Sequence, residues 1–249
     1  MIICYKGVIM EQNNIELQNY ITNNSNIVFF GGAGVSTESG IPDFRSVDGL
    51  YNQKYKYPPE KILSHSFFVQ HTKEFYDFYR DKMIYLDSKP NAAHIKLAEL
   101  EQCGKLKAVI TQNIDGLHQM AGSLNVLELH GSIHRNICED CGKIYDAQYV
   151  LECVGVPKCT CGGMIKPDVV LYEESLNDSI MEAALKFISQ ADVLIIGGTS
   201  LNVYPAAGLI NYYRGNKLVL INKSTTPYDH QANLNINERI GEVLGAIEL

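Results

Sequence analysis

Four cysteines in two close pairs are the pattern in this sequence with the clearest chemical meaning. Two residues separate Cys138 from Cys141, and one residue separates Cys159 from Cys161, with seventeen residues between the pairs. Two thiol pairs at this separation are typical of a structural zinc site, in which four thiolates surround the metal as a tetrahedron. Because four thiolates complete that shell, the pattern predicts one structural zinc ion per chain, with no open position for catalysis.

Glycines and hydroxyl or amide side chains follow short apolar runs at three other places, and these residues could bind a nucleotide. The turn 31–34 reads Gly-Gly-Ala-Gly, Thr199 and Ser200 follow a pair of glycines, and Asn222 ends an apolar run. Glycines allow the backbone to approach phosphate oxygens, and the start of a following helix supplies N–H groups. Each place taken singly is equally typical of an ordinary turn. Three together predict dinucleotide binding.

A loop, an amide-rich segment and a histidine complete the set of candidates. Phe44 and Arg45 follow a proline that must end the preceding helix. The segment 111–116 reads Thr-Gln-Asn-Ile-Asp-Gly, which is typical either of a ligand-binding strand end or of a helix cap. A lone histidine is more often structural than catalytic. His130 is singled out because it precedes Gly131, where the cysteine module leaves the apolar pattern.

The elements that position these residues alternate between apolar runs and helical patterns. Apolar runs that predict buried strands lie at 26–30, 107–112, 191–196 and 217–222. Helical spacing is seen at 11–24, 67–86, 91–102, 177–190 and 204–214. Strands that alternate with helices predict an α/β fold, with a doubly wound, parallel, Rossmann-like sheet covered by helices on both faces.

Two stretches depart from that alternation and predict a second, smaller lobe. They are the aromatic-rich stretch 44–90 and the cysteine-bearing stretch 131–170, which contains the zinc module 138–161. Both read as insertions that return the chain to the same sheet. We therefore expect a single catalytic domain, 11–249. Its large, nucleotide-binding lobe is predicted to comprise 11–43, 91–130 and 171–249.

Composition excludes some classes of function. The net charge is −7 and the sequence pI is about 5.5, which argues against direct binding to nucleic acid or to an anionic membrane surface. No apolar run approaches the length of a membrane span. Seven cysteines are an odd number, and the three outside the zinc pattern are scattered. That usage suits a reducing compartment, so the predicted location is the cytoplasm.

Taken together, the motifs resemble those of the sirtuins, the NAD-dependent protein deacylases. The matching segments, in chain order, are 32–46, 111–115, 129–131, the four cysteines, 198–200 and 220–222. The similarity extends from about residue 12 to the C-terminus. The second cysteine pair has one intervening residue where two are commoner, which leaves the zinc assignment intact.

The resemblance implies a role for individual residues. His130 would be the general base, a role that suits a side chain whose unperturbed pKa lies near neutrality, and Asn113 would share the catalytic site. Gln112 and Asn113 would hold ribose hydroxyls and an ordered water, while Ile114 and Asp115 would form the nicotinamide pocket. The residues implied to contact NAD are Ala33, Thr37, Phe44, Arg45, Gln112, Ile114, Asp115, Thr199, Ser200, Asn222 and Lys223.

The resemblance also implies the reaction and its partners. Acetylated-lysine proteins or peptides would pair with the strand at Val169 and Val170, and NAD would be consumed as a co-substrate. The products would be deacetylated lysine, nicotinamide and O-acetyl-ADP-ribose. The alternatives left open are a sirtuin acting as an ADP-ribosyltransferase or on acidic acyl groups, and a non-catalytic NAD- and zinc-binding module.

A short helical stretch bears on the choice of acyl group. Sirtuins that prefer succinyl- or malonyl-lysine resemble one another in a Tyr-x-x-Arg pair on the helix lining the acyl pocket. Here Tyr76 keeps the tyrosine, but Tyr79 stands at the arginine position and Arg80 follows one residue later. One residue turns a helix by about 100°, so we expect Arg80 to point away from the pocket.

Overall fold

The computed structural model describes residues 2–46, 49–52 and 54–249, with side chains from residue 12 onward. The strands are β1 (Ile27–Gly31), β2 (Leu106–Thr111), β3 (Val126–Glu128), β4 (Gly131–Cys138), β5 (Ile144–Tyr145), β6 (Ile165–Val169), β7 (Val193–Gly197), β8 (Leu218–Ile221) and β9 (Leu234–Ile236). The α-helices are α1 (Ile2–Thr22), α2 (Pro59–Ile62), α3 (His65–Gln70), α4 (Thr72–Lys82), α5 (Ala92–Gln102), α6 (Leu117–Met120), α7 (Ala147–Glu152), α8 (Asp178–Gln190) and α9 (Ile240–Gly245). The 3₁₀ helices are Ala33–Ser39, Leu50–Asn52, Ala206–Tyr212 and Asp229–Gln231. None of the described helices is long and apolar enough to cross a membrane.

Six parallel strands form the main sheet, in the order β3-β2-β1-β7-β8-β9. This arrangement confirms the predicted parallel α/β fold. The four predicted strands are its central members, β2, β1, β7 and β8. The short outer strands β3 and β9 were not predicted.

Helices cover both faces of this sheet because its central strands are apolar on both sides. Phe29 and Phe30 of β1 are both fully buried, and their side chains enter different cores. Phe29 packs with residues of α1, α5 and α9, among them Leu17 and Leu97. Phe30 packs with residues of α8 and the 3₁₀ helix Ala206–Tyr212, such as Ile188. Strand alternation thus explains why the sheet is doubly wound.

Two predicted helices differ from those observed. The stretch 67–86 is divided into α3 and α4 at His71, whose φ of −134° lies outside the helical region. The division lets Phe68 and Phe75 meet edge to face at 5.0 Å, in the core of the aromatic-rich stretch. The stretch 204–214 forms a short 3₁₀ helix instead of an α-helix.

A second, antiparallel sheet with the order β5-β4-β6 stands apart from the first. It packs on the aromatic-rich stretch through a separate core that includes Phe67, Tyr76, Ile133, Val150 and Val169. This core joins the two stretches that departed from the alternating pattern. The lobe boundaries stay a prediction, which this separate core supports.

Candidate functional site

Polar side chains at the carboxyl end of the parallel sheet form one hydrogen-bonded network. Gln112, just after β2, donates from Nε2 to Thr199 Oγ1 at 3.1 Å. Thr199, just after β7, donates its backbone N–H to Asn222 Oδ1 at 2.9 Å, and Asn222 Nδ2 donates back to Thr199 O at 3.1 Å. Three predicted residues from three strand ends therefore meet where open α/β sheets bind ligands.

The glycine-rich turn packs against the end of β7 without space for side chains. The Gly34 N–H donates to Gly198 O at 2.7 Å, and a Cβ on Gly34 would lie 2.8 Å from the Gly198 backbone. Ala33 begins the 3₁₀ helix Ala33–Ser39, within which Thr37 donates to Gly34 O at 2.9 Å. Both predicted residues therefore lie at this turn, and the helix after the turn is a 3₁₀ helix. Their contact with the pyrophosphate stays a prediction.

Ser36, a residue for which the sequence predicts no role, links two of the predicted residues. Its hydroxyl donates to Asp115 Oδ2 at 2.6 Å and accepts from Asn113 Nδ2 at 3.0 Å. Asp115 Oδ1 accepts the Leu117 N–H at 3.0 Å. Each carboxylate oxygen can accept two hydrogen bonds, so Asp115 keeps capacity for an amide ligand. Ser36 lies 77 residues before Asn113, and no local spacing in the sequence relates them.

His130 lies between this network and the small sheet. Its Nδ1 is 3.0 Å from Gln112 O, and because a carbonyl only accepts, Nδ1 carries the proton. Nε2 is therefore the unprotonated nitrogen, available as a base. Burial lowers the pKa of His130, while the bond to Gln112 offsets part of that shift. The His130 carbonyl accepts the Val170 N–H at 3.0 Å, which joins the base to the predicted peptide strand.

The remaining predicted site residues differ in their burial and lie outside the hydrogen-bonded network. Phe44 packs on Tyr51 at 5.4 Å between ring centroids, and the Arg45 guanidinium lies 5.2 Å from the centre of the same ring. Val169 is buried at the end of β6. Ile114, Val170 and Ser200 are partly buried, whereas Lys223 is exposed and outside the network.

The four cysteines converge as the sequence predicts. Their sulfur atoms all lie within 4.8 Å of one another, and they are the metal-ligand cluster found in the described part of the chain. Cys138 Sγ is 3.5 Å from Cys161 Sγ, and Cys141 Sγ is 3.5 Å from Cys159 Sγ. Disulfide sulfurs would be about 2.05 Å apart. Thiolates on tetrahedral zinc would be about 3.8 Å apart, which this cluster fits.

Hydrogen bonds favour the metal-binding thiolate form of one of these cysteines, Cys159. The Tyr145 hydroxyl donates to Cys159 Sγ at 3.1 Å and accepts the Thr160 N–H at 3.2 Å. The backbone N–H of Cys161, followed by the Tyr145 hydroxyl, lowers the pKa of Cys159 to about 5. Both donors favour the thiolate form, which is the form that binds zinc.

Comparison with known proteins settles the family. The profile of the Sir2 family matches residues 32–205. The chain belongs to the Sir2 family. It is 63% identical to the NAD-dependent protein deacetylase of Clostridium acetobutylicum over 236 residues, which cover 93% of this chain and 96% of that protein.

Solved Sir2 structures share the fold at recognisable sequence identity. A Sir2 complex with a p53 peptide and NAD⁺ is 39% identical, with a TM-score of 0.82 over 92% of this chain and 94% of that chain. A Sir2 structure with deacetylated p53 peptide and 3′-O-acetyl-ADP-ribose is 40% identical, with a TM-score of 0.85 over 92% and 94% of the two chains. The sirtuin resemblance found in the sequence is thus confirmed.

In this member of the Sir2 family the Arg80 side chain bonds to backbone carbonyls at and after the end of α7. Arg80 Nε donates to Val150 O at 2.8 Å, its terminal nitrogen Nη2 donates to Gly155 O, and its guanidinium lies over the Tyr76 ring. Tyr79 is fully buried, and its hydroxyl has no hydrogen-bond partner among the described residues. Arg80 is therefore bonded to the backbone at and after the end of α7, and its orientation away from the acyl pocket stays a prediction.

A buried histidine pair lies behind Asp115 in this Sir2 domain. The rings of His94 and His118 are 4.7 Å apart, and both side chains are almost fully buried. His94 Nδ1 accepts the Asn91 N–H at 3.3 Å, so the ring proton is on Nε2. Burial lowers the pKa of His94 to about 4, and the negative charge of Asp115 offsets only part of that shift. Burial also holds the pKa of His118 well below its usual value.

This pair predicts a loss of stability in mild acid. The unfolded chain protonates His94 near pH 6.5, whereas the folded chain resists protonation until about pH 4. The unfolded state therefore binds more protons between these values. Between pH 7.5 and pH 5, His94 alone should lower the free energy of unfolding by about 2 kcal/mol.

Denaturant unfolding of the zinc-loaded protein at both pH values measures this loss. His94→Gln should remove about 2 kcal/mol of the pH dependence, since glutamine can keep the helix-capping bond to Asn91. His230→Gln, at an exposed position, is the matched control and should leave the pH dependence unchanged. Equal pH dependence in His94→Gln and in the unaltered protein would contradict the prediction.

Proposed function

We propose that this chain is an NAD-dependent protein-lysine deacetylase that consumes NAD as a co-substrate. The observation that carries the proposal is the position of His130, whose Nδ1 bonds to Gln112 of the strand-end network and whose carbonyl bonds to Val170 of the proposed peptide strand. Relatives that are 63% identical are named as NAD-dependent protein deacetylases. A Sir2 structure with deacetylated peptide and an acetyl-ADP-ribose supports the proposed products.

The position of each residue on the sheet indicates which part of NAD it would bind. Thr199 and Asn222 would bind the adenosine half of NAD, and the turn around Ala33 would hold the pyrophosphate. Asp115, oriented by Ser36, would accept from the nicotinamide carboxamide. Phe44 and Arg45 would cover the nicotinamide ribose. These assignments are proposals that the observed strand-end geometry supports.

His130 would act as the general base after nicotinamide has left. The acyl oxygen of the substrate lysine would replace nicotinamide at the ribose C1′, and His130 Nε2 would then take the proton of a ribose hydroxyl. That hydroxyl would attack the imidate carbon, the bond from this carbon to the lysine nitrogen would break to free the amine, and one water would be taken up to give O-acetyl-ADP-ribose. Because Nδ1 donates to the Gln112 carbonyl, the ring is held in the tautomer that a base requires.

Zinc bound to the four cysteines would supply structure only. Four sulfurs fill a tetrahedral shell and leave no position for water or substrate. The cytoplasm is the compartment we propose. It is supported by the free thiols of Cys103 and Cys153, which lie apart from the cluster and suit reducing conditions.

Nicotinamide release distinguishes this function from its alternatives. Purified protein should release nicotinamide from NAD rapidly only with an acetyl-lysine peptide, with one deacetylated peptide formed for each nicotinamide. An ADP-ribosyltransferase would release nicotinamide without forming deacetylated peptide. A non-catalytic binding module would bind NAD without releasing nicotinamide.

We predict a preference for acetyl over succinyl groups. A succinyl carboxylate would meet no arginine from α4, because Tyr79 stands at the aligned position and Arg80 is bound to the carbonyls of Val150 and Gly155. An unpaired buried carboxylate is strongly disfavoured, so kcat/KM for a succinyl peptide should be roughly 100-fold lower than for the acetyl peptide. Steady-state kinetics on two peptides that differ only in the acyl group give this ratio.

Two variants test the cause of the preference. Arg80→Gln should leave the acetyl-to-succinyl ratio unchanged, because the arginine does not serve the acyl group. Tyr79→Arg places the cation at the aligned position and should move the ratio toward succinyl. A higher kcat/KM for the succinyl peptide in the unaltered protein, lost in Arg80→Gln, would show that Arg80 reaches the pocket.

A further inference from the structure

We propose that a hydrogen bond between the hydroxyls of Tyr51 and Tyr172 couples the binding of NAD to the binding of the peptide. The two oxygens are 2.6 Å apart, although the residues are 121 positions apart in the chain. Tyr51 belongs to the segment that carries Phe44 and Arg45, and Tyr172 follows Val169 and Val170. The inference rests on the proposed function, because it assigns these two segments to the two substrates.

On the NAD side, Tyr51 is tied to the loop that precedes it. Its N–H donates to Phe44 O at 2.8 Å, and its ring packs on the Phe44 ring and under the Arg45 guanidinium. The same loop is closed by Asp43, whose Oδ1 accepts the N–H groups of Arg45 and Ser46 at 3.0 and 2.7 Å. A displacement of Phe44 or Arg45 by ligand would therefore move Tyr51 as well.

On the peptide side, Tyr172 is held by its backbone. Its N–H donates to Leu63 O at 2.9 Å, and its carbonyl accepts the His65 N–H at 2.9 Å. Glu173 follows in a left-handed conformation with φ of 76°, which is uncommon for a residue with a side chain. Its carboxylate accepts from both the N–H and the hydroxyl of Ser66, at 2.9 and 3.0 Å, and these bonds hold the unusual backbone in place.

The hydroxyl pair thus connects a loop fixed to Phe44 and Arg45 with a strand end fixed to α3. Burial, together with the hydrogen bond to Tyr172, raises the pKa of Tyr51 well above its usual value, so the Tyr51 hydroxyl keeps its proton at neutral pH. A ligand that holds one of these two segments in the position seen here also favours that position of the other segment, because the hydroxyl pair joins them. Such a link gives positive and reciprocal coupling between the two binding sites.

The coupling is measured with carba-NAD, an analogue that does not release nicotinamide. Isothermal titration calorimetry gives its Kd without peptide and with saturating acetyl-lysine peptide, and the ratio of the two is the coupling factor. Tyr51→Phe and Tyr172→Phe should each lower this factor about five-fold, which corresponds to one ordinary hydrogen bond. The Kd for carba-NAD alone should change less, and the double variant should lower the factor no further than either single variant.

Tyr228→Phe is the matched control, because it removes one hydroxyl of a different tyrosine pair, Tyr204 and Tyr228, whose hydroxyl oxygens are 3.1 Å apart. It should keep the coupling factor of the unaltered protein. Unchanged coupling in both single variants, or independent losses that multiply in the double variant, would overturn the proposed link. If the unaltered protein binds neither carba-NAD nor the peptide, the proposed function fails and this inference fails with it.

Discussion

Replacement of His130 by alanine should lower kcat/KM for deacetylation by roughly 10²- to 10⁴-fold, the usual contribution of a general base. The folded structure and NAD affinity should be nearly unchanged. His130 hydrogen-bonds to Gln112 through its side chain and to Val170 through its backbone, and the backbone bond survives the substitution. The loss should therefore be chemical rather than structural.

The step that is lost can be identified by a single-turnover experiment. The base is proposed to act after nicotinamide has left, so His130→Ala mixed with NAD and acetyl peptide should still release up to one nicotinamide per site. Deacetylated peptide should not accumulate. Near-normal turnover in the purified variant, or a variant that binds no NAD, would contradict the assignment of His130 as the base.

The pKa of His130 sets the range of pH in which this base works. Burial is the larger influence and lowers the pKa, so the neutral form persists at a lower pH than it would in a free histidine. Burial also lowers the pKa values of His94 and His118, so protonation of these histidines destabilises the folded domain. Acid should thus lower the stability of the domain through His94 and His118, while His130 stays neutral to a lower pH than a free histidine.

The sequence predicted the centre of the fold because strong local signals are found there. Buried strands such as β1 and β7 read as unbroken apolar runs, and their glycine-rich ends are visible without any tertiary information. The strands β3 and β9 have three residues each, too few for a periodic pattern. The division between α3 and α4 was missed because aromatic packing, which is tertiary, determines it.

The site was predicted where its residues belong to a recognisable motif. Gln112, Thr199 and Asn222 each follow a strand, and the parallel sheet brings the ends of those strands to one edge. Ser36 and the Tyr51–Tyr172 pair could not be found in this way. Their partners are 77 to 121 positions distant, and pairing at such distances depends on how the insertions return to the sheet.

The loss of zinc should have the second large effect. In Cys138→Ala/Cys141→Ala, the zinc content should fall from one ion per chain to none, and deacetylation should fall by roughly 100-fold or more. The apolar cluster at the metal contains few buried residues, Cys138, Tyr145, Cys159 and Ile165. A core of this size cannot hold the chain in place by itself, so metal binding supplies the folding free energy there.

Loss of zinc should disturb the surroundings of His130 through the small sheet. β4 starts at Gly131, next to the base, and ends at Cys138, where it pairs with Ile165 of β6. At the other end Gly131 pairs with Val169, and a Cβ at Gly131 would lie only 1.9 Å from Asp168 O. The two strands are therefore closely apposed beside the site. Fraying that begins at the metal would release the peptide strand from His130.

Hydrogen exchange separates this local effect from general unfolding. In the double variant, amides of β4 and β6 should lose protection, while those of β1 and β7 should keep most of theirs, because their core does not include the metal. Cys103→Ala changes an exposed cysteine on the large sheet's side and is the matched control, with zinc content and activity unchanged. Full activity in the zinc-free double variant would show that the four cysteines do not support the catalytic site.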